Sequence, residues 1–440
     1  MLKTINLVHI SKYLYFSLLG LTILFARSFV GIYIFGFRLG ELVVVGTFIV
    51  SIIFLIYIPK LLKLNNFHKS LFKIQKVIIL SFIPISLLTN SNLLDTYAYK
   101  SSSYIWTLTI LYFGIFFLKD LEKNKLFFYA IFTVLPVLYL ISTGFYPNFI
   151  MDFFNTYSDK FQFIKGSDLM LSYIVISLTI FKFKGVNDYT VLHLFILSAV
   201  YFPLLLFNSR GAFISAFIFF LTQLIHVRKY LFKFKLKSIA ILLLSYLFFY
   251  GSVLQVYGEF TFIKLGEGAQ PDIVSQQVTD IVNQKNTKEA FYGFYIENGR
   301  LFSKDNTTNW RLDIWQDVFE DMNDKGIFLT GYGYKEIIPV MLDPSAPGRL
   351  GRDGLNENVH NYFVNIFARG GIFQFLLFIA FYIRLIQISK QINGNYEILY
   401  LLIPVFLNSS FDANLEGVQY PMIFFSFMGY LYFVKRKQLN

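Results

Sequence analysis

Long apolar runs alternate with short polar connections along the chain, and this alternation predicts most of its architecture. Twelve apolar stretches are long enough for helices that cross roughly 30 Å of hydrocarbon, which takes about 20 residues each. They lie near 12–34, 40–59, 72–90, 103–118, 126–144, 168–183, 190–207, 211–227, 238–256, 360–383, 396–411 and 418–434, the fourth and sixth being short. A single long polar segment, 257–359, separates the ninth from the tenth. The expected fold class is an all-α polytopic membrane protein of about 12 transmembrane helices with one large loop. Its parts are helices 1–9 over 1–256, the loop over 257–359, and helices 10–12 over 360–440.

Composition agrees with a bilayer as solvent. The chain is 55% hydrophobic and 15% charged, with a mean hydropathy of +0.55, whereas soluble domains carry about 25% charged residues. Cysteine is absent, which excludes disulfides and thiolate metal sites. Five histidines argue against a multi-histidine metal centre, and neither metal nor cofactor is expected.

The net charge of +12 is a topology signal once its distribution is followed. Basic residues crowd every second connection: Lys60 to Lys76, Lys119 to Lys125, Lys182 and Lys184, Arg228 to Lys237, Arg384 and Lys390, and the Lys435–Lys437 tail. With Lys3 and Lys12, these hold 22 of the 39 basic residues. By the positive-inside rule both termini are cytoplasmic, and no nucleic-acid partner is expected. The opposite face carries short, weakly charged loops and the segment 257–359, which holds 16 of the 27 acidic residues. Within it, Asn306-Thr-Thr-Asn309 is expected to cap a helix starting near Trp310. Gly331-Tyr-Gly333-Tyr marks a tight turn.

Ionisable groups at membrane depth are costly and point to function. His360 is the only histidine on the outer face in this topology, as general base, phosphate-binding group or interfacial cap. Arg210 sits in the very short Asn208-Ser-Arg210-Gly-Ala connection, so it lies close to where the large loop returns. Arg311 lies on the Trp-flanked helix. Two arginine forks on one face suit a diphosphate. Asp412, between the last two stretches, is placed to orient His360 or pair with an arginine, and Glu357 and Asp353 are alternative bases. The stretch 349–361, with Arg349, Arg352, Glu357 and Asn361, is the candidate substrate-binding surface beside His360. Arg369, nine residues on, falls on the opposite helix face and is expected to be a separate structural or channel-lining feature. Walker, His-Glu-x-x-His and Asp-x-Asp patterns are absent.

At Asn208-Ser-Arg210-Gly-Ala, Trp310-Arg311-x-x-x-Trp315, Gly331-Tyr-Gly333-Tyr, Val359-His360-Asn361-x-Phe363 and Gly370-Gly371-x-Phe373, the chain resembles the bacterial O-antigen polymerase and O-antigen ligase superfamily. The resemblance covers most of residues 190–434; Arg369 departs from it, since many relatives carry an acidic or neutral residue there. It implies a GT-C-type membrane glycosyltransferase of the bacterial inner membrane, metal-independent and inverting, with its active site in the periplasm. The donor would be an undecaprenyl-diphosphate-linked oligosaccharide, with the lipid bilayer and a chain-length regulator protein as further partners. Arg210 and Arg311 would hold the diphosphate, and His360 would deprotonate or orient the acceptor hydroxyl. The first expectation is a polymerase acting on a lipid-linked repeat unit. The alternatives are a ligase acting on lipid A–core and, outside enzymes, a lipid-linked oligosaccharide flippase.

Overall fold

A computed structural model of the chain describes residues 7–61, 66–119, 125–161, 164–231, 235–257, 293–346, 348–350 and 356–434. The protein is an all-α polytopic membrane protein, and a helix lies on each of the twelve expected stretches. In chain order these are α1 Leu7–Val30, α2 Leu39–Leu61 and α3 Asn66–Leu88, then short α4 Thr96–Ser101. The fourth stretch follows as α5 Ser103–Trp106, a 3₁₀ turn Thr107–Thr109, α6 Ile110–Phe113 and a π turn Gly114–Leu118. Next come α7 Lys125–Ser142, α8 Asn148–Tyr157, α9 Gly166–Lys184, α10 Asp188–Asn208, α11 Arg210–Leu231 and α12 Lys235–Val256. The large loop contributes α13 Asn306–Asp324, and the chain ends in α14 Tyr362–Asn393, α15 Leu399–Ser409 and α16 Gln419–Phe433.

Seven helices among the described residues are long and apolar enough to cross a membrane, and four apolar helices are shorter. Five of the twelve expected spans are not among the seven, and two of these change character. The stretch 103–118 is not one regular helix, because Gly114 meets α16 with no room for a side chain: a Cβ there would lie 1.9 Å from Ser426 O. The stretch 396–411 yields α15, of only 11 residues, about 16 Å at 1.5 Å per residue, too short to cross alone. Its end is set by the polar run Asn408-Ser-Ser, where Ser409 Oγ donates to Asn414 Oδ1 at 2.8 Å.

Burial follows the same logic. A helix apolar all round belongs inside, and α16 is buried from Tyr420 to Phe433, as is α9 from Gly166 to Ile180. They pack on each other, with α1 and α6 against α16, and α10 and α11 against α9. The outer helix α12 is only 11% buried along its span and exposes an almost continuous apolar surface. One end of the bundle gathers the starts of α9, α11, α14 and α16 with the ends of α1, α10, α12 and α15. The described part of the large loop packs at this end, through Asp305 to Arg210 and Trp315 to Val359.

Two glycine-bearing segments dock the loop. Tyr332 N donates to Ala368 O at 2.8 Å, Gly333 N to Arg369 O at 3.0 Å and Ile372 N to Phe328 O at 2.8 Å. This backbone pairing needs α14 to break open, and Gly371 does so with φ +65°; a Cβ there would sit 2.2 Å from Leu329 O. Arg369 is buried and reaches Gly333 O at 3.2 Å, Glu336 O at 2.5 Å and Tyr97 Oη at 3.2 Å. It is therefore a structural pin between α14, the turn and α4, one of the two roles its helix position suggested. Beneath it, buried Gln374 bonds Ser81, Tyr104 and Tyr334, tying α3, α5 and the turn to α14.

Candidate active site at the loop end

The site is built on α13. Its cap is Asp305, whose carboxylate accepts from Thr308 N at 2.9 Å and Thr308 Oγ1 at 2.7 Å. The residues expected to cap it, 306–309, instead form its first turn. The β1–β2 hairpin (β1 Phe294–Glu297 with β2 Arg300–Ser303) lies along α13. Arg300 reaches Asp313 at 3.0 Å, Asp317 at 2.5 Å and Glu320 at 3.2 Å. From the other side comes Arg349, which bonds Asp313 at 2.7 Å, Asp317, and Val340 O at 2.7 Å. Two guanidinium groups thus enclose two carboxylates of one helix face. The apolar face of α13, Ile314, Val318 and Met322, packs with Tyr332, Val359, Phe367 and Ala368.

This scaffold delivers four of the expected residues to one place. Trp315 Nε1 donates to Val359 O at 2.7 Å and fixes the segment leading into α14. One turn earlier on α13, the Trp310 ring lies 5.1 Å from that of His360. His360 has φ +54°, an uncommon conformation for a residue with a side chain, of the kind that gathers at functional sites. Its Nε2 lies 3.0 Å from Asn356 Oδ1, and its Nδ1 is buried with no partner among the described residues. Arg210, the first residue of α11, lies 3.5 Å from Asp305. Arg311 is half-buried on α13 within the fields of Asp412 and Asp305, and Asp412 also acts on His360.

Burial and opposed charges set the electrostatics of the site. Burial draws the Arg311 guanidinium below its ordinary pKa, with Asp412 and Asp305 opposing the shift. Desolvation works to raise Asp305, yet the Thr308 hydrogen bonds and the charges of Arg210 and Arg311 hold it below the usual carboxylate range. Burial pushes the His360 imidazole down to about 4, Arg311 and Lys165 adding to the shift and Asp412 opposing it. The ring is therefore neutral at pH 7, as a proton acceptor must be.

The remaining expected residues lie otherwise. Arg349 is 3% exposed and its guanidinium is engaged by Asp313, Asp317 and Val340 O, so it braces the loop instead of facing a substrate. Asn361 Oδ1 caps α14, accepting from Phe363 N at 3.0 Å and Val364 N at 3.1 Å. Glu357 turns away to Lys100 at 2.7 Å and acts on Tyr97. Arg352 and Asp353 lie outside the described residues.

Sequence reasoning missed Asp305, Asn356 and Lys165. Asp305 was findable, since Asp-x-x-Thr is itself a capping pattern. Lys165 stands directly before an apolar run on the same face as His360. Nothing local marks Asn356. Residues 193–379 match the protein family described as O-antigen ligase. The matched segment runs from within α10 to within α14 and contains Arg210, Arg311 and His360. No curated protein matches the chain.

Proposed function

We propose that the chain, whose residues 193–379 match the O-antigen ligase family, acts as a member of the O-antigen ligase and polymerase superfamily and transfers a glycan from a polyprenyl-diphosphate-linked donor to a sugar hydroxyl. The observation that carries the reading is the convergence of Arg210, Arg311, His360 and Asp412 at one end of the bundle, where the loop meets the membrane surface. In the proposed step the acceptor oxygen forms a bond to the anomeric carbon, on the face opposite the leaving group. The bond from that carbon to the diphosphate oxygen breaks, and its electron pair leaves with the diphosphate. The proton of the acceptor hydroxyl passes to His360. Arg210 and Arg311 neutralise the charge that develops on the leaving group, and preorganised cations of this kind lower such a barrier without a metal. A lipid-tailed donor accounts for a reaction on sugars being housed at a membrane surface, in this reading the periplasmic face of the bacterial inner membrane.

The acceptor we favour is a lipid-linked repeat unit, which makes the protein a polymerase. The description of the matched family favours a second reading, a ligase acting on lipid A–core. Deleting the gene in a strain with full-length surface polysaccharide separates them. A core bearing a single repeat unit indicates the polymerase; a bare core with lipid-linked polymer accumulating indicates the ligase. In either background His360→Ala and Arg210→Ala should abolish transfer while leaving membrane insertion intact. Full activity in both variants would sink the mechanism.

A further inference from the structure

We infer that Nδ1 of His360 is the atom that takes the acceptor's proton, and that Asn356 is the positioning residue that sets this tautomer. The inference rests on the glycan-transfer reading above and specifies its base.

The argument begins at a backbone carbonyl. Asn356 Nδ2 donates to Arg349 O at 3.1 Å. A carbonyl oxygen only accepts, so the amide nitrogen must face Arg349 and Oδ1 must face the imidazole. Oδ1 in turn only accepts, and it lies 3.0 Å from His360 Nε2, so Nε2 carries the hydrogen. In a neutral imidazole the other nitrogen then holds the lone pair. That nitrogen, Nδ1, is the buried one that finds no hydrogen-bond partner among the described residues. A buried acceptor left unpaired is costly, and a substrate hydroxyl is the kind of donor that satisfies it.

Asn356 is itself held. Its backbone N–H donates to Leu350 O at 2.8 Å, and Arg349 is locked to Asp313 and Asp317 of α13. The same helix presents Trp310 to the ring and Arg311 to its field. Tautomer, ring plane and leaving-group cation are thus referred to one rigid element. The charged groups facing the ring are Arg311 from α13, Asp412 from the α15–α16 connection and Lys165 from the approach to α9. When the acceptor oxygen attacks, its proton moves to Nδ1 and Nε2–H stays on Asn356 Oδ1. The imidazolium so formed then returns the proton to water.

The test combines a spectrum with kinetics. Nitrogen-15 histidine NMR of the full-length protein in nanodiscs, with His360→Gln identifying the signal, should show a protonated Nε2 and a proton-free Nδ1 at pH 7. The reverse tautomer would overturn the inference without any variant of Asn356. Asn356→Leu should lower kcat about 10-fold or more, up to the 10²–10⁴ that a general base contributes in full, with donor KM and melting temperature unchanged. Asn356→Asp keeps the acceptor on Nε2–H but stabilises the imidazolium, so the acid limb of kcat/KM should move up by about one pH unit or more. Wild-type kcat in Asn356→Leu, or an unmoved acid limb in Asn356→Asp, would also overturn it. Glycan transfer surviving in His360→Ala defeats the functional reading instead, and the NMR spectrum still decides the tautomer.

Discussion

Replacing Arg349 with Met separates bracing from substrate binding more sharply than any other single change. The guanidinium is 3% exposed and bonds Asp313 and Asp317, which are 39% and 20% exposed at their side chains. Removing one partner of a fully buried ion pair costs about 3–5 kcal/mol, whereas exposed pairs are worth about 0–1. The two carboxylates are partly solvated and keep Arg300, so the cost should fall between these limits, about 2 kcal/mol. Met fills most of the volume, which leaves the charge loss as the main term. A loss of about 2 kcal/mol raises the opened fraction of the loop about 30-fold. Cleavage of a transiently opened segment follows that fraction when reclosing is fast. Limited proteolysis of the purified protein, scored on fragments cut between 293 and 359, should therefore quicken about 30-fold, with kcat reduced and donor KM little changed. Arg349→Lys, which keeps the charge without the fork, should lie between. Unaltered proteolysis with a raised donor KM would refute the reasoning and return Arg349 to the substrate.

The other predictions are these. The neutral His360 ring binds a proton in the unfolded chain below about 6.5 but in the folded chain only near 4. Its contribution to stability is thus complete above pH 6.5 and lost as pH falls toward 4; thermal melting of wild type and His360→Gln across pH 4–7 should converge at the acid end. The acid limb of kcat/KM should likewise lie near pH 4, and a limb near 6.5 would show that the ring is not buried as described. Arg311→Ala should lower kcat about 10²–10³-fold, and Arg311→Lys should recover only part of it, because a point charge does not replace a bidentate fork. Gly371→Ala places a side chain at φ +65° and 2.2 Å from Leu329 O. The backbone conformation alone costs about 1–3 kcal/mol, so a lowered melting temperature and faster loop proteolysis are expected; wild-type behaviour would show that the loop is not docked through this break.

Apolar periodicity determined the helices and their order, because a bilayer core leaves the backbone little alternative to satisfying itself within each segment. Glycines at 331 and 333 announced the turn, since few other residues adopt those angles without strain. Arg210, Arg311, His360 and Asp412 stood out because charge near a membrane is expensive unless it is used or paired. Partnership lay beyond the sequence. Arg349 and Arg311 are both arginines of one polar loop, yet Arg349 is consumed by Asp313 and Asp317 while Arg311 lies in the fields of Asp412 and Asp305. Asn361 and Asn356 flank the same histidine, and one caps a helix while the other meets the ring. The contacts of Arg349 with α13 cross 36 and 32 residues, and even the short-range contacts of the two asparagines take hydrogen-bond directions and burial that depend on how the loop folds back. The sequence alone determined the membrane architecture and singled out the end where the candidate site lies. Only the tertiary structure decided which charges there cancel each other and which remain for a substrate.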